Sequence, residues 1–309
     1  MSSDDYPAPR TSEPQPVVIG EVLFDEFPDG TRVLGGAPFN VAWHLAGFGQ
    51  KPRFISRIGN DGAGREVRAA MSAWGLDTVD VQVDPAAATG RVVISQGDPT
   101  QPAYEIHPDQ AWDHISPEIS PPIDPSSLVY HGTLAMRGPR TRAAISCCVR
   151  QGGPVFVDCN LRPPWWTDTT LSTAVGGARW LKLNEHELKV VLSVLGLPAA
   201  DTTPEDGAAM LCDTATVCEV IVTLGNDGAV SVTDSGAVHV PSPPVEVVDS
   251  VGAGDAFSAV LILGLVRGWA RPLRLQRAAE FAAVVCRERG ALVDDPNVYN
   301  ELLTSWEAS

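Results

Sequence analysis

The sequence is poor in basic residues. Its 309 residues include 22 Lys or Arg against 38 Asp or Glu, a formal charge of -16, and the only lysines are Lys51, Lys182 and Lys189. Binding to nucleic acid irrespective of sequence needs clustered cations that displace counterions from phosphates, so the composition excludes nucleic acid as a partner. The acidity reads as a well-solvated surface. Long apolar runs are also missing: 259–266 is far short of the roughly 20 residues that span a bilayer, which excludes a membrane-spanning helix and a membrane partner. None of Cys147, Cys148, Cys159, Cys212, Cys218 and Cys286 forms a C-x-x-C pair or has a neighbouring His, so no zinc site is indicated. The thiols read as those of a cytoplasmic protein. Residues 1–16 are polar and Pro-rich with no apolar core, neither a signal peptide nor an anchor, and are expected to form a disordered tail.

Of what is present, the apolar pattern is the clearest signal. Residues 17–24 read as one buried strand, 40–48 as a helix, 52–58 as a strand and 65–74 as a helix. Short strands are expected at 79–83, 90–95 and 103–107. From 127 onward strands (128–132, 155–158, 180–183, 219–224, 229–233, 245–248) alternate with helices (141–151, 184–195, 253–267, 273–289), and Asn226-Asp227-Gly228 suits a hairpin. Alternation of this kind implies a largely parallel sheet covered on both faces, an α/β fold. The chain is expected to form one domain over 17–305, with the strands that break the alternation making a small β lid from about 26–34 and 79–110.

Asp249-Ser250-Val251-Gly252-Ala253-Gly254-Asp255 precedes an apolar helix. Glycines let the backbone turn and leave amide N–H groups open at the positive end of a helix dipole, which makes an anion cradle. A carboxylate beside it can take a proton from a hydroxyl while the amides neutralise charge on a transferring phosphoryl group. The competing reading makes Asp255 a helix cap and the glycines mere turn formers. No G-K-[ST] follows, so this is not a P-loop, and G-x-G-x-x-G is incomplete, so it is not a dinucleotide fingerprint.

The turn resembles the D-T-x-G-A-G-D signature of the ribokinase-like (PfkB) carbohydrate kinases, with Ser250 in place of Thr. Gly35-Gly36-Ala37-Pro38-Phe39-Asn40 is similar to their N-terminal paired-glycine signature. The resemblance extends from Val17 to about Leu303. It implies a three-layer α/β/α fold with a mostly parallel central sheet and a small β-strand lid, ATP and Mg2+ as cofactors, a monovalent cation such as K+, and the possibility of a homodimer paired through lid strands.

It also implies roles. Asp255 would be the base, with Gly252, Ala253 and Gly254 as the cradle. Asp25, Gly35, Gly36 and Asn40 would bind sugar hydroxyls, although Asp25 also suits a turn and Asn40 a helix start. Residues 158–165 look like the fructokinase-like D-P-N-x-R-x-x-x-W segment, with Cys159 in place of Pro, Asn160 at the substrate and Arg162 as a forked donor to charge. Asn184 and Glu187 match N-x-x-E, Asn184 towards nucleotide and Glu187 towards Mg2+ through water; the same residues make an ordinary capped helix start. Thr223, Gly225 and Gly228 resemble a nucleotide loop that doubles as the hairpin. Asp249 is the candidate for the monovalent cation.

The expected activity is transfer of the γ-phosphate of ATP to a primary hydroxyl of a monosaccharide, D-fructose first, with ribose, 2-keto-3-deoxygluconate and nucleosides open. A keto-acid would want an extra cation, and 25–40 offers only Arg32. A non-catalytic binding paralogue would have no need of the base; a dehydrogenase would want the missing fingerprint.

Overall fold

Strands that are apolar from end to end need cover on both faces. In the computed structural model, which describes residues 14–95, 103–119, 121–215 and 217–308, they receive it. The N-terminal half comprises β1 (Val17–Ile19), β2 (Leu23–Glu26), β3 (Arg32–Gly35), α1 (Ala37–Gly47), β4 (Arg53–Gly59), α2 (Gly62–Trp74), β5 (Val81–Asp84), β6 (Gly90–Ser95) and β7 (Ala103–Ile106). The middle comprises β8 (Val129–Gly132), α3 (Pro139–Gln151), β9 (Val155–Asp158), α4 (Asp168–Gly177), β10 (Trp180–Asn184), α5 (Glu185–Val194) and α6 (Pro204–Thr214). The rest is β11 (Glu219–Thr223), β12 (Ala229–Thr233), β13 (Gly236–Val240), α7 (Ala253–Val266), α8 (Arg271–Val285) and α9 (Pro296–Glu307).

The large sheet runs β13-β12-β11-β10-β9-β8-β1-β4-β5, parallel except for β12, which lies antiparallel to both neighbours. Successive residues of its central strands point into two separate cores. Val18, Tyr130 and Phe156 face α1, α7, α8 and α9, whereas Val17, Ile19, Val129 and Val157 face the side covered by α3, α4, α5 and α6. Helix α7 lies within the first core and is buried from Asp255 to Val266, which explains why its sequence is apolar all round. Among the described residues no helix is long and apolar enough to cross a membrane.

A second, four-stranded sheet, β3-β2-β6-β7, stands beside the N-terminal half. Three strand expectations change here. The run 17–24 is two strands, β1 in the large sheet and β2 in the small one, separated at Gly20 to Val22; the apolar pattern hides the break because Val22, Leu23 and Phe24 are buried too. The segment 79–83, expected in the lid, instead forms β5 at the edge of the large sheet, parallel to β4 and joined to it by α2 as a strand-helix-strand crossover. Arg53 pairs with Asp80 at 2.7 Å and Arg57 with Asp84 at 2.8 Å, clamping that edge. No strand forms at 245–248: Val247 and Val248 are half exposed, and the Val248 and Asp249 N–H groups both donate to the Cys286 carbonyl rather than to a sheet edge. The tail up to residue 13 and the lid segment 96–102 lie outside the described residues.

Candidate active site

In an open α/β sheet, ligands meet the crevice beyond the carboxyl ends of the strands. Here Asp158 ends β9, Asn184 ends β10 and Thr223 ends β11, with Asp158 in register with Lys182 and Asn184 with Thr223. Facing these ends, the start of α7 presents the Gly-Ala-Gly-Asp turn. Gly252 precedes the helix with φ +80°, a left-handed backbone, and a β-carbon there would stand 2.4 Å from Ala291. Only glycine fits. The amides of the first turn have no intrahelical partners and carry the positive end of the dipole.

Asp255 lies in that first turn and is 9% exposed. Asn40, on the first turn of α1, donates from Nδ2 to its Oδ2 at 2.7 Å. Burial foremost, and then Asp158, pushes the Asp255 carboxyl up to about 6, against the hydrogen bond from Asn40 and the charges of Lys182 and Arg162. A carboxyl so poised is a better proton acceptor than a solvated one and is still ionised near neutrality.

Around this carboxyl a second group of polar residues gathers. Asp25 on β2 is pushed to about 6, first by burial, then lowered by Arg162 and raised by Asp255. Gly35 ends β3; a β-carbon placed on it would find Asp25 Oδ2 at 3.6 Å and Asn40 Oδ1 at 3.7 Å, so both oxygens converge on one spot that a bare glycine leaves open. Asn40 Oδ1 is buried and has no partner among the described residues. Two acceptors beside an open backbone suit vicinal hydroxyls, which donate. Gly36 opens α1 at φ +109°, and a β-carbon there would approach the Glu21 carbonyl oxygen to 2.9 Å. Asn160, with φ +39°, turns the chain after β9 towards Arg162, whose charge is felt at Asp25, Asp255 and Glu21. Arg32 does not join them: it pairs with Glu66 at 2.9 Å on the surface.

The N-x-x-E residues form a capping box at the start of α5. Asn184 Oδ1 accepts from the Glu187 N–H and Glu187 Oε2 from the Asn184 N–H, each at 2.9 Å. Glu187 Oε1 also accepts from Leu161 N–H at 2.8 Å, fixing the loop that carries Arg162. The capped-helix reading of the motif is met, and Glu187 in addition ties down the loop after β9. Thr223 stands beside Asn184 at the next strand end; Gly225 (φ +58°) and Gly228 (φ +93°) shape the turn between β11 and β12. Asp249 bonds Val251 N–H and Gly290 N–H, both at 3.0 Å, tying the anion turn to the segment after α8.

The sequence assigned no role to Glu21, Lys182, Ser258 or Arg137. Glu21, pushed up to about 7 by burial, has an unpartnered Oε2. Lys182 pairs with Asp158 at 2.8 Å, and Ser258 Oγ donates to the same Asp158 oxygen at 2.7 Å. Arg137, gripped by Asp113 and stacked between Trp112 and Trp165, adds a second cation felt at Glu21. One signal was available: a lysine inside a buried strand of a chain with only three is never there by default. Among the described residues no group of three or more His, Cys, Asp or Glu could hold a metal ion. An acidic cleft between α6 and β12, lined by Glu205, Asp206, Asp213 and Asp234, shares no residue with the site.

A fructokinase of Klebsiella pneumoniae is 32% identical over 264 residues, 80% of this chain and 83% of that protein. An aminoimidazole riboside kinase from Salmonella enterica, solved with aminoimidazole riboside and an ATP analogue, superposes with a TM-score of 0.81 at 27% identity, covering 94% of this chain and 99% of that one. A double-mutant fructokinase from Vibrio cholerae O395, bound to fructose, ADP and potassium ion, gives 0.80 at 25% identity, with 94% and 99% covered. The fold is therefore ribokinase-like, as the two signatures implied. The model of the pfkB family carbohydrate kinases matches residues 18–297, and the chain belongs to that family.

Proposed function

We propose that this kinase transfers the γ-phosphate of ATP to a primary hydroxyl of D-fructose, giving fructose 6-phosphate. The observation that carries the reading is the convergence of Asp25 Oδ2 and Asn40 Oδ1 beside Gly35, next to a base that Asn40 itself holds. The two oxygens accept from sugar hydroxyls, Asp255 takes the proton of the attacking hydroxyl, and the Gly252 to Gly254 amides with Arg162 face the charge on the phosphoryl group. Catalysis rests on positioning.

ATP is assigned to Asn184, Thr223, Gly225, Gly228 and Gly254. Mg2+ fits this donor set only as an ion carried by phosphates, with Glu187 reaching it through water; bound there it would neutralise phosphate charge. Asp249, bonded to Gly290 N–H, is the side chain offered to a monovalent cation.

A hydroxy-acid such as 2-keto-3-deoxygluconate is the second reading, favoured by one observation. Arg162 and Arg137 set two cations towards the acceptor half, where residues 25–40 by themselves offer only Arg32. ATP consumption over a panel of fructose, ribose, nucleosides and 2-keto-3-deoxygluconate decides: fructose is expected to give the highest kcat/KM, and a preference of more than tenfold for the acid would replace the first reading with the second.

A further inference from the structure

The fold buries Lys182 but leaves Lys51 and Lys189 exposed. Lys182 sits behind the anion turn, its Nζ 3.3 Å from where a β-carbon on Gly254 would stand, and its charge acts on Asp255, the next residue. An ammonium whose field reaches a carboxylate in a low-dielectric interior is attracted towards it. Among the described residues no bond between the two exists. Lys182 Nζ donates instead to Asp158 Oδ2 at 2.8 Å, and Asp255 takes the neutral amide of Asn40 at 2.7 Å.

We propose that Asp158 is a positioning residue: as a fixed counterion it holds Lys182 off Asp255, leaving the base free to face the acceptor with only Asn40 attached. The inference rests on the kinase reading above. Asp158 is 1% exposed at the end of β9, directly across from Lys182 on β10. Ser258, one turn along α7 from Asp255, donates to Asp158 Oδ2 at 2.7 Å and so ties the counterion to the helix that carries the base. Burying an ion pair costs desolvation of both charges, and apolar residues of equal volume often serve stability as well or better. The pair therefore points to placement of charge. The other charged or titratable groups felt at Asp255 are Arg162 after β9, Glu21 after β1, Asp25 on β2 and Tyr130 on β8. None of them belongs to the Lys182–Asp158 pair.

The test is a 13C-aspartate NMR titration of the full chain, with the Asp255 resonance identified by its absence from Asp255→Asn, alongside the pH profile of kcat/KM. Asp158→Asn removes the raising charge and frees Lys182 to bond Asp255; its midpoint, near 6 in the native protein, is expected to fall by more than about one pH unit, and kcat by about 100-fold. Adding Lys182→Met is expected to bring the midpoint back and restore kcat to within about tenfold of the native value. An unmoved midpoint in folded Asp158→Asn overturns the proposal. Where that variant fails to fold because it buries an unpaired ammonium, the double variant decides: a folded double variant about 100-fold or more impaired contradicts it. Absence of phosphotransfer by the native chain on every acceptor sinks the kinase reading, while the NMR midpoints still decide what Asp158 does.

Discussion

Asn40 and Asp255, 215 positions apart, share a buried 2.7 Å hydrogen bond that joins the first turn of α1 to the first turn of α7. One amide thereby touches both the α1 and the α7 side of the cleft. Its Nδ2 orients the base, and its Oδ1 turns towards Asp25 and Gly35.

Removing that amide changes the base in a defined direction. The hydrogen bond lowers the Asp255 pKa against burial, so Asn40→Ala raises it, and the acidic limb of kcat/KM moves to higher pH. The base must be ionised to act, so activity is lost from the acid side first. A pH-rate profile is expected to show the shift together with a roughly 100-fold fall in kcat/KM, equivalent to about 2.7 kcal/mol.

Asp255 also weighs on stability. Its folded pKa, about 6, lies above the ordinary aspartate value of 3.8. The folded state therefore holds the proton more tightly, and the ionised carboxylate destabilises the fold above that pKa by an amount on the order of 1–3 kcal/mol. Asp255→Asn is expected to melt several degrees higher than the native protein at pH 8, the gap narrowing as the pH falls below about 6 and closing only at about 4. Melting curves across that range check it, and a gap that widens on acidification would be the wrong sign.

Gly252 has no substitute. Its φ of +80° and the 2.4 Å approach of Ala291 to a β-carbon make Gly252→Ala both strained and crowded. A loss of at least about 2 kcal/mol in urea unfolding is expected, with weaker ATP binding by calorimetry because the cradle is displaced.

Glu187 accepts two backbone N–H groups, from Leu161 at 2.8 Å and Asn184 at 2.9 Å. In Glu187→Gln one acceptor becomes a donor facing a donor. Stability is expected to drop by about 1–3 kcal/mol, and the Mg2+ concentration for half-maximal rate to rise, because the loop bearing Arg162 loses its anchor.

The sequence made local structure legible wherever it depended on contiguous pattern. The Gly252 to Asp255 turn, the hairpin at Asn226 to Gly228 and the α5 start at Asn184 are written in contiguous residues whose backbone demands are specific. What depended on pairing between distant segments was hidden. β5 reads like a lid strand until its register with β4 is seen, and β1 runs into β2 without a polar signal because both bury their residues. Lys182 and Asp158, 24 positions apart, meet only because β9 and β10 lie side by side. Arg137 likewise reaches the site by stacking between Trp112 and Trp165, contacts that no spacing announces.

The central claim is that Asp255 takes the proton of the acceptor hydroxyl. The measurement that tests it most directly is the turnover of Asp255→Asn with MgATP and fructose, taken with its circular dichroism and ATP affinity. A fall in kcat of about 1,000-fold or more, with the fold and ATP binding retained, is the predicted result; turnover within about tenfold of the native protein would contradict it.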